Sequence, residues 1–222
     1  MEQLLRPYPL CRIKIQSMRT LLFVLVGAIC YTANVRAQNT NTAVQTAFAK
    51  SYAFEKDKLY EKASLEIRRI YDENSYEHNL RLGWLQYQAG KYNESLGYYQ
   101  KSVNLQPNSI EAKLGIVYPL SAQLNWDAVL KEYSSILKLN PQNKLINYRT
   151  GLIYYNTKKY TEAQKYFDTL LELYPFDYDG IIISAWNHLK LQKLAEAKVL
   201  FQKALLYNPE DASALEGMKL IK

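Results

Sequence analysis

Two histidines and two cysteines, His78, His188, Cys11 and Cys30, are the residues from which a metal centre or a thiol or imidazole site would have to be built. They are too few and too scattered to build one. A zinc site would fall mostly to carboxylates, against that ion's preference for cysteine and histidine ligands. No stretch has the spacing of a nucleophile elbow or of a glycine-rich phosphate loop. Glu61, Glu66 and Asp72 lie close in sequence to Arg68 and Arg69, the pattern of ion-paired helix faces. The expectation is no catalytic residue, no metal and no cofactor. The side chains in excess are rings: 20 tyrosines, with 3 tryptophans and 6 phenylalanines, in 222 residues. What such rings do best is recognition, since tryptophan and tyrosine dominate the energetic centres of binding surfaces.

The elements that must position these rings follow a register of prolines. Pro107, Pro141, Pro175 and Pro209 stand at one fixed interval along the chain. Eight residues before each stand Tyr99, Tyr133, Phe167 and Phe201, and four before stand Val103, Leu137, Leu171 and Leu205. Fifteen before stand Tyr92, Trp126, Tyr160 and Leu194; twenty-four before stand Gly83, Val117, Gly151 and Ala185. A fixed period of this length marks stacked repeats, each a helical pair that buries its apolar face only against its neighbours. The run from Tyr76 to Ser109, with Leu82-Gly83, Gly90-Lys91-Tyr92, Tyr99 and Pro107, resembles the tetratricopeptide repeat throughout. The resemblance implies an all-α fold, a right-handed superhelical solenoid of helix-turn-helix repeats.

On this register the units run over about 43–75, 76–109, 110–143, 144–177 and 178–211, with a terminal capping helix over 212–222. Phe48, Tyr52 and Phe54 mark the first helix of the opening unit, and Tyr60, Ala63, Ile67 and Ile70 its second. Ser75 takes the proline's place there, slightly less than one full period before Pro107, so this unit departs from the spacing, as a terminal repeat is free to do. In the next unit the first helix is expected over Glu77–Ala89, ended by Gly90 in the left-handed conformation. Asn93, Asp127 and Thr161 are expected to cap the second helices. Pro119 falls inside a first helix, where it removes a backbone hydrogen bond and favours a kink.

The N-terminus has a different character. Leu21–Tyr31 is an unbroken apolar run preceded by Arg19 and followed by Val35-Arg36-Ala37, the layout of a secretory signal peptide over 1–37 cleaved between Ala37 and Gln38. Met18 offers a more compact start for the same signal. Eleven apolar residues fall short of the roughly 20 of a membrane-spanning helix, so no permanent membrane span is expected after cleavage. Ile29 before Cys30 does not match a lipoprotein acylation site. Residues 38–42 read as a flexible leader. Both cysteines fall in the segment to be removed, so no disulfide is expected. The net charge of +7 is concentrated here too, since residues 1–37 carry +4 and the rest only +3. That excess is too mild and dispersed for a nucleic-acid partner.

In tetratricopeptide proteins the first helices line a concave face that receives peptides, and the resemblance places three positions of each first helix there. They supply Tyr52, Trp84, Tyr118 and Trp186, then Tyr148, then Tyr87 and Tyr155, with Arg81 and Arg149 beside them. The lysine and asparagine clamp of family members that bind chaperone C-termini is missing, because Leu80, Trp84, Leu114 and Tyr148 occupy such positions. The expected function is a non-enzymatic adaptor of the cell envelope, exported to the periplasm or the outer membrane, that binds a protein or peptide segment in an aromatic groove. A glycan-binding module and the front module of a larger envelope assembly or secretion machine remain open beside it.

Overall fold

The structure, a computed structural model, describes residues 42–221. The signal-peptide reading of 1–37 and most of the leader therefore lie outside the described residues, while Thr42 is already helical. Every regular element among the described residues is an α-helix. They fall into two compact units divided between Asp72 and Glu73. No helix among the described residues is long and apolar enough to cross a membrane.

The smaller unit holds α1 (residues 42–56) and α2 (Tyr60–Arg68). Ser51, Ala63, Ser64 and Ile67 are buried in it. The short α2 ends before Ile70, which the sequence placed in it. Arg69 closes this end with an ion pair to Glu66 at 2.6 Å.

The larger unit holds α3 (Tyr76–Gln88), α4 (Tyr92–Leu105), α5 (Ile110–Ala122), α6 (Trp126–Leu139), α7 (Lys144–Asn156), α8 (Tyr160–Leu173), α9 (Tyr178–Lys190), α10 (Leu194–Tyr207) and α11 (Ala212–Leu220). What starts each first helix is a cap that recurs once per repeat: Ser75, Ser109, Asn143, Asp177 and Asp211. Each side chain accepts a hydrogen bond from the backbone N–H three residues on, at His78, Ala112, Ile146, Gly180 and Ala214. Such a cap contributes ~1 kcal/mol by satisfying an otherwise orphaned donor.

The second helices begin differently from expectation. Their caps are Lys91, Asn125 and Lys159 rather than Asn93, Asp127 and Thr161, which lie two residues further on, inside the first turn. Only Asn125 uses its side chain, accepting from the N–H of Ala128. The chain enters these helices straight out of a tight turn, and the turn, not a side-chain cap, sets the start. The expected first helix over Glu77–Ala89 likewise begins and ends one residue earlier.

That turn is the same in every unit. Lys58, Gly90, Leu124, Lys158 and Gln192 all adopt positive φ, between 57° and 75°. At Gly90 the paired closing bonds are Gly90 N–H to Tyr87 O at 3.0 Å and Lys91 N–H to Gln86 O at 2.8 Å, the double bond of a Schellman motif. Glycine alone adopts this conformation without a Cβ clash. Leu124, 69% exposed at φ 57°, has little packing to offset the strain. Replacing Leu124 with glycine is therefore expected to raise stability by about 0.5–1 kcal/mol, read as a higher urea midpoint. A lower midpoint would mean that the leucine side chain contributes more than its exposure indicates.

Packing follows the repeat period as well. Tyr99, Tyr133, Phe167 and Phe201 are buried, each on a second helix, with Ser95, Val129, Ala163 and Ala197 one turn earlier. Ser95 Oγ also donates to Gly83 O at 2.8 Å, pinning α4 to α3. Glycines make the seats for the rings. A Cβ on Gly115 would lie 2.3 Å from the Tyr99 ring, one on Gly151 2.3 Å from Phe167, and one on Gly217 2.1 Å from Phe201. Pro119 is buried within α5, which continues through it to Ala122.

Three pairs of neighbouring first helices are also clasped at their N-termini. The first residue of one helix reaches the cap of the next: Tyr76 Oη lies 2.8 Å from Ser109 Oγ, Lys144 Nζ donates to Asp177, and Tyr178 Oη donates to Asp211. The Asp211 hydrogen bond pushes the Tyr178 phenol up to about 12, and the same bond, with the Ala214 amide, holds the Asp211 carboxyl below its usual range.

A candidate aromatic recognition face

The period that stacks the helices also brings rings together on the first helices. Trp84 and Tyr87, three residues apart on α3, have ring centroids 5.7 Å apart. Tyr118 on α5 closes the group, edge-on to Trp84 at 5.8 Å and tilted against Tyr87 at 5.4 Å. All three were expected on one face from their positions in the repeat, and they form one cluster spanning two repeats. Tyr118 stays 39% exposed, and Trp84 and Tyr87 are half-buried. Edge-on and tilted pairs of this kind are worth ~1 kcal/mol each beyond the area they bury, so the three rings support one another.

The other expected residues have more local surroundings. Tyr148 on α7 is half-buried, and burial followed by the nearby Asp179 and Asp177 carboxylates raises its phenol above the ordinary value. Tyr155 pairs edge-on with Tyr160 at 5.5 Å, at the turn from α7 to α8. Trp186 packs edge-on against the core ring of Phe201 at 5.3 Å, and its indole N–H donates to Ser213 Oγ on α11 at 2.8 Å. Its visible role is thus to hold α11 in place. Arg81 is buried, and Arg149 is half-buried. Tyr52 lies in the smaller unit, 53% exposed, with its ring 6.4 Å from Phe48.

Two groups of rings went unassigned to any surface in the sequence. Tyr92 extends the α3–α5 cluster, 6.0 Å from Tyr87. Its signal was the ring that recurs fifteen residues before three of the four prolines. Phe176, Tyr178 and Tyr207 meet at 5.4 Å spacings where α8 turns into α9. They sit in loops and helix ends, where helical periodicity carries no information.

The residue types suited to chemistry are engaged elsewhere. His188 is buried, and its Nδ1–H donates to Ser184 O on its own helix at 2.8 Å. His78 is also buried. Among the described residues no three His, Cys, Asp or Glu side chains converge to hold a metal ion.

Helical pairs on a fixed register, glycine-seated rings and a ring-lined row of first helices define a tetratricopeptide-repeat fold. Models of that repeat match residues 79–109 and 145–177, so the chain carries tetratricopeptide repeats in an all-α repeat architecture. It is 30% identical over 108 residues to a TPR repeat-containing protein of Methanocaldococcus jannaschii, a match that covers 48% of this chain. It spans only 18% of that relative's length. Among solved structures it is similar to a tetratricopeptide repeat protein from Parabacteroides merdae, with a TM-score of 0.68, 20% identity, and coverage of 81% of this chain and 72% of the other. It is also similar to the MamA protein, with a TM-score of 0.65, 18% identity, and coverage of 77% and 94%. A third is YrrB, a TPR protein with an unusual peptide-binding site, with a TM-score of 0.62, 15% identity, and coverage of 78% and 90%.

Proposed function

We propose that this chain is a non-enzymatic scaffold of the cell envelope that holds a peptide or protein segment against the Trp84–Tyr87–Tyr118 cluster, with Tyr148, Tyr155 and Arg149 further along the first-helix row. The observation that carries this reading is the cluster itself. Three rings from two repeats are fixed by one another while Tyr118 remains exposed. Preorganised aromatic anchors of this kind take up an apolar side chain at little entropic cost. The peptide-binding site of YrrB, whose fold this chain shares, supports the same reading. The tilts of 33° to 72° within the cluster turn ring edges onto ring faces. That leaves no coplanar platform for a sugar and favours a peptide over a glycan. Export rests on the signal-peptide layout of residues 1–37.

A photoreactive phenylalanine at Tyr118 is expected to cross-link in whole cells to one discrete protein, and the same group at the exposed Lys131 on α6 is not. Equal labelling at both positions would remove the groove from the proposal. The mature protein is expected to begin at Gln38 by mass; recovery of an unprocessed chain from the cytoplasm would remove the envelope.

A further inference from the structure

The junctions between successive repeats of the larger unit are not alike. Between the repeats of α3–α4 and α5–α6, Tyr76 bonds Ser109 at 2.8 Å and Glu111 at 3.1 Å, and Gln123 donates to Asn93 at 2.8 Å. Between α7–α8 and α9–α10, Lys144 bonds Asp177, Asn187 donates to Tyr160 O at 3.1 Å, and Lys193 donates to Gln164 at 2.7 Å. Between α9–α10 and α11, Tyr178 bonds Asp211 and Trp186 donates to Ser213. Between α5–α6 and α7–α8, no side-chain hydrogen bond or ion pair joins either helix of one pair to either helix of the next among the described residues; Asn147 bonds only the loop ahead of its own helix, at Pro141 O (2.9 Å) and Asn143 O (3.0 Å).

The chemistry of that gap is legible residue by residue. The clasp position holds Ile110, which has no polar atom to offer the Asn143 cap. At the register position where Gly115 and Gly217 admit a ring of the preceding repeat, α7 carries Arg149. On α6, Ser135 Oγ is enclosed without a hydrogen-bond partner. What holds the junction is apolar: Ile146 is buried in one cluster with Ile116, Val117, Tyr133 and Ile136, and Ile153 packs against it. Apolar burial is non-directional, whereas a hydrogen bond weakens steeply off its axis. An interface held by the former alone resists separation more than it resists small slides of its packed helices, the property of a shear joint.

We propose that the α6–α7 junction is a built-in joint, about which the repeats of α3–α6 and those of α7–α11 change their relative angle while each block stays rigid. The motion alters the spacing between α5, which carries Tyr118, and α7, which carries Tyr148, and so lets one face take segments of different girth. The joint itself does not depend on the recognition reading.

The test uses the full chain with Cys11 and Cys30 changed to serine and spin labels at equivalent exposed positions of the second helices. Lys131→Cys with Lys165→Cys spans the joint, and Lys165→Cys with Val199→Cys spans the bonded junction after it. The distance distribution across the joint is expected to be roughly twofold broader than the control, the signature of a collective motion rather than of label rotamers. Installing the missing clasp with Ile110→Tyr and Asn143→Asp, after the Tyr178–Asp211 pair, is expected to narrow it toward the control. Equal widths in the unclasped chain overturn the proposal, as does a folded clasp variant whose distribution is unchanged. Should the clasp variant not fold, the unclasped comparison decides alone. Either outcome is independent of whether a peptide binds.

Discussion

Changing Gly115 to alanine is expected to lower the unfolding free energy by about 2 kcal/mol, although alanine is the better helix former by about 1 kcal/mol. The added Cβ would stand 2.3 Å from two atoms of the Tyr99 ring, well inside any real carbon–carbon contact. The ring has little room to move, because it also rests on Gly83, where a Cβ would lie 2.9 Å away. Tyr99 is 3% exposed, so it cannot rotate into solvent without uncovering the core. The remaining relief is for α5 to move off α4, which loosens the face that carries Tyr118. Shrinking the ring with Tyr99→Leu should restore much of the loss, giving a double variant more stable than the two single effects predict. Additivity of the two changes in urea unfolding would show that close approach is not what glycine provides here.

Truncating Phe167 to alanine has the largest expected effect, a loss of about 3–5 kcal/mol. Phe167 is fully buried on α8 against the Gly151 seat on α7, with Ala163 and Leu170 buried on the same helix. Its removal empties the centre of the repeat, and helices held by caps and turns at both ends cannot collapse to fill it. Because a repeat array contacts only its neighbours, the loss should be uneven. Amide exchange should rise most in α7 and α8 and least in α3 and α4. A uniform rise along the larger unit would argue for one cooperative core instead. A loss under about 1 kcal/mol would mean that the site relaxes around the missing ring, outside the range for such truncations.

The repeat period, the helix order and the buried rings were legible in the sequence because a solenoid repeats one local solution. Identical demands in each repeat leave identical marks, as with Tyr99, Tyr133, Phe167 and Phe201. The caps were harder to read. Asn93, Asp127 and Thr161 are good cap types, yet the left-handed turn at Gly90, Leu124 and Lys158 delivers the chain into the helix two residues earlier. Ser75, Ser109, Asn143, Asp177 and Asp211 hold the capping role at the opposite turn. For the site, residue positions indicated that Trp84, Tyr87 and Tyr118 share a face. They were silent on Trp186 being occupied by Phe201 and Ser213, since that depends on partners carried by two later helices.

What the sequence alone determined is the kind of object: helical pairs, their period, and the rings and small residues that let them nest. All of these follow from constraints within one repeat or between adjacent ones. Only the tertiary structure decided which rings stay exposed and which are buried against other helices. Only it, too, distinguished the junctions that are bonded from the one that is merely packed. Those properties belong to pairs of side chains on different helices, and a periodicity, which reports what is common to all repeats, averages away the one repeat that differs.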